Sequence, residues 1–222
     1  MHHHYNGLLK SLEPVSDLLI QVYIHEDLIG QQKAVVILDK DPDKLQDLVP
    51  MAKYVHKNKL AMPLVISRRF IKYSLDSYPL EFIDIMSSQS INLLLKEDML
   101  SELKIRQSDV RLQMEREFKS KWLLTRQMLL DGNLSSRKLK ETLPLSISAL
   151  IPAIKGFFFL AKQPYPQTTQ ALFEQAALIS KIDLNSLERW LGQSHYEIAD
   201  AERYLRILNK LTELMETYPI DE

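Results

Sequence analysis

The run SLDSYPLEFIDI, Ser74–Ile85, and the later SDVRLQMEREFKSKWLLTRQMLL, Ser108–Leu130, decide how this chain divides. The first is short and apolar and carries two carboxylates, Glu81 and Asp84. The second is the longest uninterrupted helical pattern in the sequence. Before them, strand-like and helix-like runs alternate; after them only helical patterns occur. The expected class is α+β: a small mixed-sheet domain over residues 1–104, followed by a helical bundle over residues 105–222.

Outward toward the N-terminus, Leu8–Leu12 reads as a short helix stopped by Pro14. Asp17–Ile24 (DLLIQVYI) is rich in β-branched and aromatic residues and reads as a strand, although a helix would also tolerate it. Ala34–Leu38 (AVVIL), five apolar residues between Lys33 and Asp39, has the pattern of a strand buried on both faces. Asp41-Pro42 offers an aspartate cap and a proline at a first helical position, so DKLQDLVPMAKYVHK is expected to be helical and kinked or broken at Pro50. Met62–Ile66 is a third strand, and Ser67 caps the short helix RRFIKYSLD. Leu80–Ile85 reads as a fourth strand and Ile91–Leu95 as a fifth.

Outward toward the C-terminus, Val110, Met114, Phe118, Leu123, Leu124 and Met128 mark the apolar side of the long helix. Arg111/Glu115, Glu115/Lys119 and Glu117/Lys121 are spaced as i,i+4 pairs. Asp131-Gly132-Asn133 ends it. Ser135/Ser136 opens a second segment, interrupted by Pro144 and Pro152 and closing in IKGFFFLAK. After the linker Pro164-Tyr165-Pro166, Thr168–Lys181, Asn185–Leu191 and Glu197–Tyr218 complete a bundle of about five helices with short connections.

Composition narrows the function. The chain has 222 residues, 45% hydrophobic and 26% charged, with a formal charge of −1. Residues 1–104 hold 12 basic and 14 acidic residues (−2), and the rest hold 16 and 15 (+1). Neither half is basic enough for a general nucleic-acid binder. The absence of cysteine rules out disulfides and thiolate metal sites and fits a reducing compartment. No run approaches the roughly 18 apolar residues of a membrane span, and no secretory signal pattern opens the chain; the expected location is cytoplasmic. His2, His3 and His4 read either as a clipped tag or as native sequence, a weak metal binder at most.

The order strand, strand, helix, strand, short helix, strand, then helices resembles the polymerase-beta-like nucleotidyltransferase superfamily. SLDSYPLEFIDI with the helix Ser108–Leu130 looks like an uncharacterised bacterial group of that fold with a helical C-terminal domain. The resemblance spans about residues 15–218. It implies a Gly-Ser turn after the first strand that holds nucleotide phosphates. It also implies two acidic residues, one residue apart, on the next strand, and a third carboxylate on a later one. Alternation puts the pair on one face, where it holds the divalent cations that neutralise a triphosphate.

Here the chain departs from that pattern. LLIQVYIHEDLIG has no Gly-Ser pair, and Gln31 and Lys33 stand where the acidic pair belongs. A lysine there brings its own cation and repels Mg²⁺. Asp39, Asp41 and Asp43 fall after the strand, as helix-cap and first-turn charge. The expectation is a degenerate active site with no metal ligands.

Glu81 and Asp84, three apart on an expected strand, face opposite sides. Either is a candidate remnant of the third carboxylate, or one is solvated and the other pairs with Arg111 or Arg116. Arg111, Glu115 and Arg116 at the domain junction are candidate ligand-binding residues for an anion, since guanidinium groups bind phosphate bidentately; a plain solvated helix face is the alternative. Arg189 and His195 have the spacing of HEPN-type helical ribonucleases, with His as acid/base and Arg on phosphate, but Gly192 lies between them. Trp122, Phe157–Phe159 and Trp190 read as bundle core, or as a dimer interface if the phenylalanines are exposed.

The sequence thus points to a non-catalytic, nucleotidyltransferase-like protein that binds a nucleotide-like anion or a protein partner. No cofactor and no membrane is expected, and a homodimer would form through the helical domain. Two alternatives stand beside this. One is an active nucleotidyltransferase with Mg²⁺ at a relocated site built from Glu81, Asp84 and Asp39. The other is a HEPN-like ribonuclease or toxin–antitoxin component using Arg189 and His195.

Overall fold

A computed structural model describes Tyr5 and residues 7–221; His2, His3 and His4 lie outside the described residues. The chain is α+β, and it forms two compact units. One comprises the residues through Leu75 together with Ile85–Lys104; the other comprises Asp76–Asp84 and the chain from Ile105 onward.

The first unit opens with helix α1 (Leu8–Ser11) and a 3₁₀ segment over Glu13–Leu18, which Pro14 enters at a position that needs no backbone donor. Strands β1 (Leu19–Glu26) and β2 (Gln32–Leu38) follow as an antiparallel hairpin with Val22 opposite Val36 and Ile24 opposite Ala34. Helix α2 (Val49–Lys57) leads to β3 (Leu64–Ser67), which runs parallel to β2. Helix α3 (Arg68–Ser74) follows, its first turn closed by the Ser67 hydroxyl, which accepts from the Phe70 N–H at 3.2 Å.

Helix α4 (Pro79–Ser87) comes next, and strand β4 (Ser90–Leu95) then pairs antiparallel with β1. The four strands are ordered β3-β2-β1-β4. AVVIL is buried throughout, as its uninterrupted apolarity requires. One face of the hairpin (Val22, Ile24, Val36, Leu38) packs with Leu8 and Leu12 near the N-terminus and with Met51 and Val55 of α2.

The second unit holds helices α5 (Gln107–Asp131), α6 (Ser136–Ser148), α7 (Ile151–Leu160), α8 (Thr169–Ser180), α9 (Asn185–Leu191) and α10 (Ile198–Thr217). Ser135 and Thr168 cap α6 and α8 by accepting from the backbone N–H groups of Lys138 and Ala171. Trp190, Phe157, Phe158, Phe173 and Tyr204 are buried. Thr125, Ser146 and Tyr204 satisfy one another's hydroxyls inside this core, at 2.7 and 2.9 Å.

Several expectations are corrected. Leu80–Ile85 is not a strand but the body of α4. Leu80, Phe82, Ile83 and Ile85 are all buried, and a run this short and this apolar has no period that separates strand from helix. Four strands therefore form the sheet instead of five. Asp41-Pro42 starts no helix: a 3₁₀ turn at Leu45–Leu48 precedes α2, and Pro50 stands in the first turn of α2 instead of breaking it. Pro144 lies inside α6, and Pro152 opens α7.

The buried side of α5 is also different. It runs through Val110, Gln113, Met114, Phe118, Thr125 and Leu129, while Leu123, Leu124 and Met128 are exposed. Finally, among the described residues Ser136–Leu160 is long and apolar enough to cross a membrane, with mean hydropathy 1.8. It is two helices joined at Ala149-Leu150, and 67% of its most apolar stretch is buried within the protein, so its hydropathy matches that of a core segment.

Candidate functional site

Glu81 and Asp84 stand three residues apart on a helix, which places them on one face and not on opposite sides of a strand. Each has a partner from the helical unit. Gln113 of α5, itself buried, uses both ends of its amide. Its Oε1 accepts from the Leu80 N–H at 2.8 Å, serving one of the unpaired donors at the start of α4. Its Nε2 donates to Glu81 Oε2 at 2.8 Å.

Asp84 accepts from Lys155 Nζ at 2.7 Å; the Lys155 side chain is 1% exposed and that of Asp84 16%. Lys155 sits in the middle of α7 with Ile154 and Phe157 beside it, so its ammonium is removed from water and depends on that carboxylate. The neighbouring Gly156 lets α7 approach closely: a Cβ there would fall 2.5 Å from Met114 Sδ and 3.0 Å from Leu80 Cδ2.

Arg111, Glu115 and Arg116 share α5, and the structure spreads their side chains among different tasks. Arg111 donates through Nη1 to the Met215 carbonyl at 2.7 Å. Glu115 is ion-paired with Lys119, whose ammonium is held above its usual range by that bond. Arg116 is exposed. Arg189 and His195 are both exposed, and Gly192 ends α9 between them.

In the sheet unit, the β1–β2 turn closes on Asp27. Its Oδ1 accepts from the N–H groups of Ile29 (3.1 Å) and Gln31 (2.8 Å), and Gly30 supplies the positive φ of +79° that the turn requires. Its Oδ2 pairs with Lys33 Nζ at 2.8 Å. Gln31 and Lys33 thus belong to a self-contained turn.

At the other end of β2, Asp39 accepts from Arg68 Nε at 2.9 Å. The same guanidinium grips both oxygens of Glu97 at 2.7 Å. That fork-to-fork geometry holds the Glu97 carboxyl below its ordinary range. Among the described residues, no three His, Cys, Asp or Glu side chains gather as a metal-ligand set.

Sequence reasoning missed Lys155, Gln113, Asp27 and Arg68. Lys155 had a signal: a single charge inside IPAIKGFFFL needs a buried counter-charge. Gln113 had none, because its role depends on α4 being a helix.

Together these features define an α+β protein with a mixed four-stranded sheet unit and a helical unit, in which the carboxylates nearest the candidate site residues are met by the chain's own donors. Compared with protein-family models, with curated proteins and with solved structures, the chain finds no match in any of the three.

Proposed function

We propose that this chain is a nucleotidyltransferase-like protein that works by binding a partner protein and not by nucleotidyl transfer. The observation that carries the reading is the Asp27–Lys33 pair at 2.8 Å in the β1–β2 turn. The resemblance calls for a phosphate-holding turn and a metal-holding acidic pair at this place. The turn is instead folded on its own aspartate, and a lysine ammonium stands at the start of β2. A bound Mg²⁺–triphosphate would need a cluster of acidic ligands here, and the turn from Asp27 to Gln31 offers Asp27 alone, already paired with Lys33.

Asp39, Glu81 and Asp84, the residues of the relocated-metal alternative, are engaged by Arg68, Gln113 and Lys155. The open surface of α5 favours a protein partner. A shallow depression there is lined by Trp122, Leu123, Leu124 and Leu130, with Leu123 60%, Leu124 53% and Leu130 57% exposed. Apolar side chains grouped in this way on a water-facing helix mark an interaction surface.

The test is a calorimetric titration of each nucleoside triphosphate with and without Mg²⁺, alongside a pyrophosphate-release assay. The expected result is no Mg²⁺-dependent binding and no release. Metal-strengthened nucleotide binding with pyrophosphate release that disappears in Asp39→Asn or Asp84→Asn would overturn the reading.

A further inference from the structure

Helix α5 carries two separate stripes. Val110, Met114, Phe118, Thr125 and Leu129 face the interior of the helical unit. At about 100° per residue, Arg116, Ser120, Leu123, Leu124, Gln127 and Asp131 form a second stripe centred roughly 145° round the helix from the first, with Leu124 at its edge. Their spacing of three and four residues is that of a helix–helix seam. All of these are exposed.

Resting on the reading of α5 as a protein-binding face, we propose that its occupant is the same helix of a second copy of this chain, packed antiparallel about a two-fold axis between Leu123 and Leu124. Charge and polarity select this occupant and this register. The axis sets Leu123 against Leu124 of the partner subunit and Ser120 against Gln127 of the partner subunit. At each end of the seam it sets Arg116 against Asp131 of the partner subunit. Arg116 and Asp131 are 15 residues apart, about 22 Å along the helix at 1.5 Å per residue. An antiparallel partner therefore meets each with its opposite charge at the same level.

A parallel pair would instead bring Arg116 against Arg116 and Asp131 against Asp131, a like-charge arrangement at both ends. The two-fold arrangement is isologous and closes at the dimer. Asp131 ends α5, where the helix dipole gives a carboxylate no local stabilisation. A cation across the interface gives it a favourable partner.

The test is sedimentation equilibrium of the full chain over roughly 5 to 500 µM, with charge-reversal variants of the two exposed residues. The wild type is expected to dimerise with rising concentration. Arg116→Asp and Asp131→Arg each place like charges at both ends of the seam and are expected to weaken dimerisation by about tenfold or more. The double variant Arg116→Asp/Asp131→Arg should restore it. Mixing the two single variants should give a heterodimer, because one copy is then acidic at both ends of the seam and the other basic at both. Leu123→Ser/Leu124→Ser, also at exposed positions, should abolish association while leaving the circular dichroism spectrum unchanged.

A wild type that stays monomeric throughout overturns the inference, as does a dimer indifferent to both charge reversals. Neither result bears on nucleotide binding or pyrophosphate release, so the reading of the chain as non-catalytic stands or falls separately.

Discussion

Removing the Asp84 carboxylate tests the packing of the Asp76–Asp84 segment within the helical unit directly. Lys155 Nζ lies 2.7 Å from Asp84 Oδ1 with the lysine side chain 1% exposed, while the carboxylate side is 16% exposed. The pair is therefore lopsided. Asp84→Asn keeps an amide oxygen as acceptor but takes the counter-charge from an ammonium that water cannot reach, and breaking a buried pair in this way costs about 3–5 kcal/mol. Lys155→Met keeps the aliphatic stem and takes the cation from a carboxylate that can still draw on solvent, a loss of about 1–2 kcal/mol. In the double variant no charge is stranded, so it should be more stable than Asp84→Asn alone. The two single costs should then exceed the double by about 2–3 kcal/mol, the signature of direct coupling.

Urea unfolding followed by tryptophan emission is the right assay, since Trp122 and Trp190 are the only tryptophans and both lie in the helical unit. If Asp84→Asn is too unstable to purify, introducing it into the Lys155→Met background still completes one side of the cycle. A cost below about 1 kcal/mol for Asp84→Asn, or additive single effects, would refute the argument that this ammonium is desolvated and dependent on Asp84.

Three further outcomes are expected. Gly156→Ala should lose about 1 kcal/mol in the same urea assay, because overpacking against Met114 and Leu80 outweighs the helix-propensity gain of alanine. Gly30→Ala should lose about 1 kcal/mol although nothing lies within 4 Å of its Cβ position, because φ is +79° there; Gly30→Asn should lose less, both read by sheet circular dichroism during unfolding. Burial pushes the Tyr165 phenol up to about 12. Its neutral form is thus favoured by folding: this contribution is fully present below the unfolded value near 10 and is lost as pH rises toward 12. Stability should fall across that window, and Tyr165→Phe should fall less steeply in alkaline unfolding curves.

Where the physics was local, the residues were readable. AVVIL is short, bounded by Lys33 and Asp39 and rich in β-branched residues, which favours a strand covered on both faces, and Ser67, Ser135 and Thr168 announce helix starts because a side-chain oxygen ahead of an apolar period has one good use. PLEFIDIMS was opaque because its apolar residues fall on every side. What makes it helical is Pro79 at its start and the Gln113 amide that receives the Leu80 N–H, a contact 33 residues away in sequence. The same error hid the site: a strand sends Glu81 and Asp84 apart, whereas a helix lets Gln113 and Lys155 collect both. On α5 the composition could not say which apolar stripe faces inward. Leu123 and Leu124 are more hydrophobic than Gln113 and Thr125, yet the latter are buried: Thr125 stands in line with Met114 and Phe118, and Gln113 is covered by its bonds to α4.

The ion pairs also set what a divalent ion would meet at each of the carboxylates they hold. Asp27, Asp39 and Asp84 each meet a lysine or arginine within 2.9 Å, and Arg68 holds Glu97 as well. A divalent ion entering any of these places must displace the resident cation, and the cost depends on where that cation can go. Lys33 and Arg68 have side chains about 40% exposed and could swing into water at little cost. Lys155 has no such route. Displacing the resident cation is therefore easy in energy at the β1–β2 turn and at the end of β2, and blocked at Asp84. There the lysine is part of the core, so freeing Asp84 to hold a metal ion would require rebuilding α7.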